Sequence, residues 1–93
     1  MWDARKNAAN LAARGFDFAF GSLIFDGPTL EREDLRQDYG ERRIIAVGLA
    51  QGIALTVVYT DRSERKATIE RRIISARRSD RRERQAYRKA TEG

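Results

Sequence analysis

Arg43-Ile44-Ile45-Ala46-Val47-Gly48-Leu49, then Ala50-Gln51-Gly52, then Ile53-Ala54-Leu55-Thr56-Val57-Val58-Tyr59-Thr60 is the stretch on which the fold turns. Both arms are rich in β-branched residues, whose stiff branched Cβ suits a pleated sheet better than a helix. The short break between them carries a glycine, which accepts the positive φ that a tight reversal requires. Two antiparallel strands joined as a hairpin are predicted.

Working outward toward the C-terminus, the polar run Asp61 to Lys66 reads as a loop, and Thr68 to Ala76 returns as a third strand with Ile69, Ile73 and Ile74 among charged neighbours. Ser79 or Asp80 then caps a last helix from Arg81 to about Ala90, with Ala86 and Tyr87 facing inward. Toward the N-terminus, Asp38-Tyr39-Gly40 marks a turn and Thr29 to Leu35 an extended piece. Before it, Asp17 caps a short helix in which Phe16, Phe20, Leu23 and Ile24 recur at helical spacing until Asp26-Gly27-Pro28 ends it. Asp3 caps a first helix over 4–14, and Gly15 stops it. Lys6, Asn10 and Arg14 stack along one side of that helix, as a solvated stripe or, alternatively, as one wall of an anion site. The expected fold class is α+β: two N-terminal helices, an antiparallel sheet of about four strands and a C-terminal helix, in one domain over 1–93.

With 41% hydrophobic and 35% charged residues, the chain can build a core but wraps it in a dense charged shell. At 93 residues that core is small, so a protein partner or a second copy of the chain, as a homodimer, is expected to add stability. There is no cysteine and no histidine, which removes disulfides, thiolate sites and the usual neutral-pH proton shuttle. No metal and no cofactor are therefore expected. The start, Met1-Trp2-Asp3-Ala4-Arg5-Lys6, has no apolar signal segment, and no run approaches the roughly 18 apolar residues of a membrane span, so a cytoplasmic location without a membrane partner is expected.

The net charge of +5 is unevenly distributed. Acids dominate 16–41 (Asp17, Asp26, Glu31, Glu33, Asp34, Asp38 and Glu41, against Arg32 and Arg36), while arginines dominate 71–93. Such asymmetry suits a polyanion on one side and another partner elsewhere. The densest cluster is Arg71-Arg72-Ile73-Ile74-Ser75-Ala76-Arg77-Arg78. Plain alternation sends Arg72, Ile74 and Ala76 to one face and Ile73, Ser75 and Arg77 to the other. A planar, permanently charged guanidinium forks onto phosphate oxygens, so arginines fixed by a strand suit a phosphodiester; the plainer alternative is that they only solubilise the chain. No Gly-rich phosphate loop, metal-ligand spacing or nucleophile elbow is present.

Trp2-x-x-x-Lys6-x-x-x-Asn10-Leu11, Phe18, Phe25-Asp26, Gly40-Glu41-Arg42, Val57-Val58-Tyr59-Thr60, Arg72-Ile73-Ile74-Ser75-Ala76-Arg77-Arg78 and Glu83-Arg84-x-x-Tyr87 follow one another in this order. Together they resemble the BrnT family of bacterial type II toxins over nearly the whole chain, the last two blocks being the most specific. The resemblance implies a RelE-like fold, endoribonuclease activity that arrests translation, and neutralisation by a co-encoded ribbon-helix-helix antitoxin, through which alone operator DNA would be met. One departure stands out: the family usually carries a histidine before the glycine that ends the first helix, and here that position is Arg14.

Metal-free RNA cleavage needs the 2′-hydroxyl deprotonated, the charge on the pentavalent phosphate stabilised and the 5′-oxygen protonated. Arg72 and Arg77 are the candidates for charge stabilisation, Lys6 for phosphate contact or proton transfer, and Glu41 or Glu83 for the base. Arg78, Arg81 and Arg82, with Arg88 further along, are expected to contact RNA, and Tyr59 and Tyr87 to stack a base or donate to the leaving group. Each has a structural rival: Glu83 as an ion-pair partner of the strand arginines, Glu41 as a partner of Arg42 or Arg43, Tyr87 as core. Two other functions stay open: a toxin of the same fold that poisons gyrase, and a catalytically weak module that binds antitoxin or nucleic acid.

Overall fold

The computed structural model describes residues 2–65 and 68–92, without the side chains of 62–69. Its elements are α1 (Ala4–Arg14), α2 (Phe18–Gly21) running into a 3-10 turn (Ser22–Asp26), β1 (Leu30–Glu33), β2 (Ile44–Ala50), β3 (Ile53–Arg65), β4 (Thr68–Arg78) and α3 (Arg81–Glu92). Among the described residues the strands form one antiparallel sheet in the order β1-β2-β3-β4. The α+β architecture is the expected one. No helix of the described residues is long and apolar enough to cross a membrane.

The β2–β3 hairpin closes at Gln51 (φ 49) and Gly52 (φ 82), both positive, as a two-residue reversal between Ala50 and Ile53 requires. Asp3 caps α1 by accepting from the N–H groups of Arg5 (2.8 Å) and Lys6 (3.2 Å), and Asp17 caps α2 through the N–H of Phe20 (2.9 Å). The α1–α2 side of the sheet holds the core: Phe18, Ile24, Ala46, Leu55, Val57, Tyr59, Ile73 and Ala76 are all buried there. Gly48 lets the 3-10 turn lie close on β2, since a Cβ there would stand 2.8 Å from that of Ile24. Ladder partners share a face, so the opposite side carries Ile45 and Val47, then Thr56, Val58 and Thr60, and α3 packs over its β1–β2 half.

Several expectations are corrected. Asp61 to Arg65 is not a loop but the continuation of β3, paired with β4 as far as Arg65↔Thr68; Lys66 lies outside the described residues. The stretch begins on a charge pair rather than an apolar contact, with Arg71 bonded to both carboxylate oxygens of Asp61 (2.9 and 3.0 Å). Plain alternation in β4 also fails. Val58 faces Ser75 whereas Tyr59 faces Ile73, which leaves Ile74 as the extra residue of a β-bulge. Arg72, Ser75 and Arg77 therefore share the α3 side, and Arg71, Ile73, Ala76 and Arg78 the other.

The third correction concerns the stripe on α1. Asn10 is buried, donating to the carbonyl of Phe16 (3.0 Å) and accepting from the N–H of Ala76 (3.2 Å) and from Arg14 (3.1 Å). Arg14 in turn donates to the carbonyl of Ala76 (2.9 Å). Together with the bridge between Trp2 and Ile73, these bonds cover the outer edge of β4 at Ile73 and Ala76. At the other end, α3 runs to Glu92, and Asp80 is its cap; Ser79 is buried against Thr56 (2.8 Å) instead. Tyr87 is buried as expected, while Ala86 remains exposed at the rim of a slot.

Candidate functional site

β4 carries the arginines, and the bulge decides which of them meet. Arg77 stands opposite Thr56 and Arg72 opposite Thr60, four residues apart on β3, so their Cα atoms are separated by roughly 13 Å at about 3.4 Å per residue. That spacing, with Ser75 between them on the same face, suits successive groups along a polyanion rather than one isolated anion. Arg72 has no ion-pair partner among the described residues.

Arg77 is gripped instead. Its Nη1 and Nη2 donate to the two carboxylate oxygens of Glu83 at 2.6 and 2.8 Å. Glu83 is held in place by a reciprocal cap at the start of α3, accepting from the N–H of Asp80 (2.9 Å) while its own N–H donates to the Asp80 carboxylate (2.8 Å). The Glu83 side chain is only 11% exposed and that of Arg77 40%, so the carboxylate is the anchor and the guanidinium the presented group. Burial alone would raise the Glu83 carboxyl, but the bonds from Arg77 and the Asp80 N–H outweigh it and hold it below its ordinary value. The same bond raises Arg77, against burial and the repulsive charge of Arg36. Glu83 thus fixes the aim of Arg77.

The other candidates are dispersed. Arg81 and Arg82 are exposed in the first turn of α3, close in sequence to Arg77. Lys6 is exposed one turn before Asn10 on the same side of α1, beside the outer edge of β4. Arg78 turns to the opposite face and lines a cavity of about 440 Å³ with Leu11, Phe16 and Phe20. Tyr59 is also on that opposite side, buried, its hydroxyl donating to Glu31 and its ring packed edge-on against Phe25 at 5.3 Å and under Arg71 at 4.0 Å. Burial and the bond to Glu31 push its phenol up to about 12. Tyr87 is on the buried side of α3 and donates to the carbonyl of Pro28 (2.8 Å). Glu41 sits in the β1–β2 connection, bonded to Arg43 (3.2 Å).

A second tethered arginine, Arg36 held by Asp34, was not foreseen from sequence. Asp34 is buried just past β1 and binds Arg36 through Nε (2.8 Å) and Nη2 (2.7 Å) and Tyr39 through its hydroxyl (3.1 Å). The Arg36 hydrogen bonds hold the Asp34 carboxyl well below the usual carboxylate range despite burial. Asp34-x-Arg36 between a strand and an Asp-Tyr-Gly turn gave little signal, because the pair lies past the end of β1, in a connection where neither the helix nor the strand period applies.

A search of curated proteins returns no match. A family model described as "Ribonuclease toxin, BrnT, of type II toxin-antitoxin system" matches residues 2–83, thereby including the arginines of β4 and Glu83. The chain belongs to this family of ribonuclease toxins.

Proposed function

We propose that the protein is an endoribonuclease that cleaves RNA without a metal ion, so stopping translation in the cytoplasm until a ribbon-helix-helix antitoxin neutralises it. The observation that carries this reading is a preorganised guanidinium, Arg77 fixed by Glu83, on the same face of β4 as Arg72, which has no ion-pair partner among the described residues. In the reaction the 2′-oxygen loses its proton and bonds to phosphorus, the bond from phosphorus to the 5′-oxygen breaks, and that oxygen takes up a proton. Arg77 stabilises the charge on the non-bridging oxygens of the reacting phosphate, an electrostatic contribution strongest when the donor is fixed beforehand, and Arg72 grips a neighbouring phosphate of the same chain. Lys6 supplies a further cation at the outer edge of the strand, and Arg81 and Arg82 hold the flanking chain. The antitoxin covers the arginine face, and the toxin meets operator DNA only through it.

A catalytically weak binding module is the second reading. It is favoured by Arg14, which occupies the position where the family usually has a histidine and is committed to Asn10 and the backbone of Ala76. Incubating the purified protein with end-labelled RNA in excess chelator separates the two. Cleavage that leaves a 2′,3′-cyclic phosphate and a 5′-hydroxyl supports the ribonuclease. Intact RNA at large protein excess selects the binding module, or a gyrase poison if supercoiling is then inhibited.

A further inference from the structure

Asp34 is a carboxylate taken out of water, its side chain 1% exposed, while the guanidinium it binds on Arg36 is 70% exposed. Burying a charge is costly unless it is fully paired, and here the donors are the backbone N–H of Arg36 (3.2 Å), its Nε and Nη2, and the Tyr39 hydroxyl. The net effect is a surface cation tethered from below. It mirrors Glu83 and Arg77, where a nearly buried carboxylate likewise presents a more exposed guanidinium.

The tether lies on the face already described. Asp34 extends the β1 ladder by donating its N–H to the carbonyl of Arg43 (2.8 Å), and it comes two residues after Arg32, on the same side of the strand. Arg32 lines a cavity of about 110 Å³ together with Glu83, the residue that holds Arg77. The connection returns at Arg42, whose carbonyl accepts from the Thr60 hydroxyl (2.8 Å), and Thr60 stands opposite Arg72. The repulsion that Arg77 feels from Arg36 agrees with this placement.

We propose that Arg36 is a third phosphate-binding guanidinium of this face, gripping a non-bridging oxygen of the RNA backbone alongside Arg72 and Arg77, with Asp34 as its positioning residue. The inference rests on the ribonuclease reading above. With Nε and Nη2 turned to Asp34, the remaining edge of the guanidinium faces outward, and a planar fork can serve a carboxylate and a phosphate together.

The test uses the full chain with two RNAs of one sequence, one cleavable and one blocked by 2′-O-methyl groups. Arg36→Ala is expected to weaken binding of the blocked RNA about tenfold and to make the log–log salt dependence shallower by about 0.7, one phosphate contact on a single strand. Arg36→Lys recovers only part of the loss, and Arg5→Ala, an exposed charge change on α1, causes none. Asp34→Asn weakens binding in the wild-type background but adds nothing to Arg36→Ala, as expected of a residue that reaches RNA only through Arg36, and unlike a structural loss it makes the salt slope shallower at temperatures where the fold is intact. The proposal is overturned if the wild type binds and cleaves while Arg36→Ala behaves like Arg5→Ala. A wild type that neither binds nor cleaves RNA overturns the ribonuclease reading and this inference with it.

Discussion

The carboxylate of Glu83 meets the guanidinium of Arg77 end-on, through bonds of 2.6 and 2.8 Å, while the same carboxylate closes the N-terminal cap of α3 on Asp80. One residue thereby fixes both the start of a helix and the aim of a strand arginine. Arg77→Ala should lower kcat/KM on RNA by about 10²–10³-fold, the usual effect of losing one preorganised charge-stabilising donor. Glu83→Gln keeps an oxygen for the cap, so its melting temperature should stay near wild type while its rate falls. Full activity in Glu83→Gln would remove the positioning role.

Asn10→Ala should destabilise the fold by about 1–3 kcal/mol, because the N–H of Ala76 and the carbonyl of Phe16 lose their partner where little water can replace it. Urea unfolding checks this. A loss below a few tenths of a kcal/mol would mean that the edge of β4 does not depend on α1.

Asp34 gives the fold an acid limb. Its folded-state carboxyl is depressed, so the pairing contributes stability above the unfolded-state value of about 4 and loses it as pH falls through the lower folded value. Asp34→Asn should therefore be less stable than wild type by about 1–3 kcal/mol at pH 7, with the gap closing below about pH 4. Urea midpoints measured from pH 7 to pH 2 decide it, and a pH-independent gap would contradict the assignment.

Gly48→Ala should cost about 1–3 kcal/mol through overpacking, since the added methyl meets Ile24 at 2.8 Å and Thr29 at 3.2 Å and backbone must shift. Thermal unfolding reads this directly. An unchanged midpoint would show that the 3-10 turn can move away from β2 at no cost.

The hairpin around Gln51-Gly52, the Asp3 and Asp17 caps and the buried Tyr87 were legible because each follows from local chemistry: β-branched runs, a left-handed turn, an oxygen that accepts from free N–H groups. The bulge at Ile74 was not, since period-two alternation assumes that no residue is extra, and this one moves Arg72 and Arg77 onto a shared face. Asn10 read as solvated because a polar residue on a helix gives no sign of the strand edge it will meet 66 positions later. The continuation of β3 past Asp61 was hidden for a related reason: its Arg71 partner comes from across the ladder.

The central claim is that the β4 arginines hold an RNA backbone. Its most direct measurement is the affinity of a 2′-O-methyl RNA for the wild type and for the double variant Arg72→Ala/Arg77→Ala, titrated across salt. Loss of two phosphate contacts predicts at least tenfold weaker binding and a log–log salt slope shallower by about 1.4. Equal affinity and an unchanged slope would contradict the account.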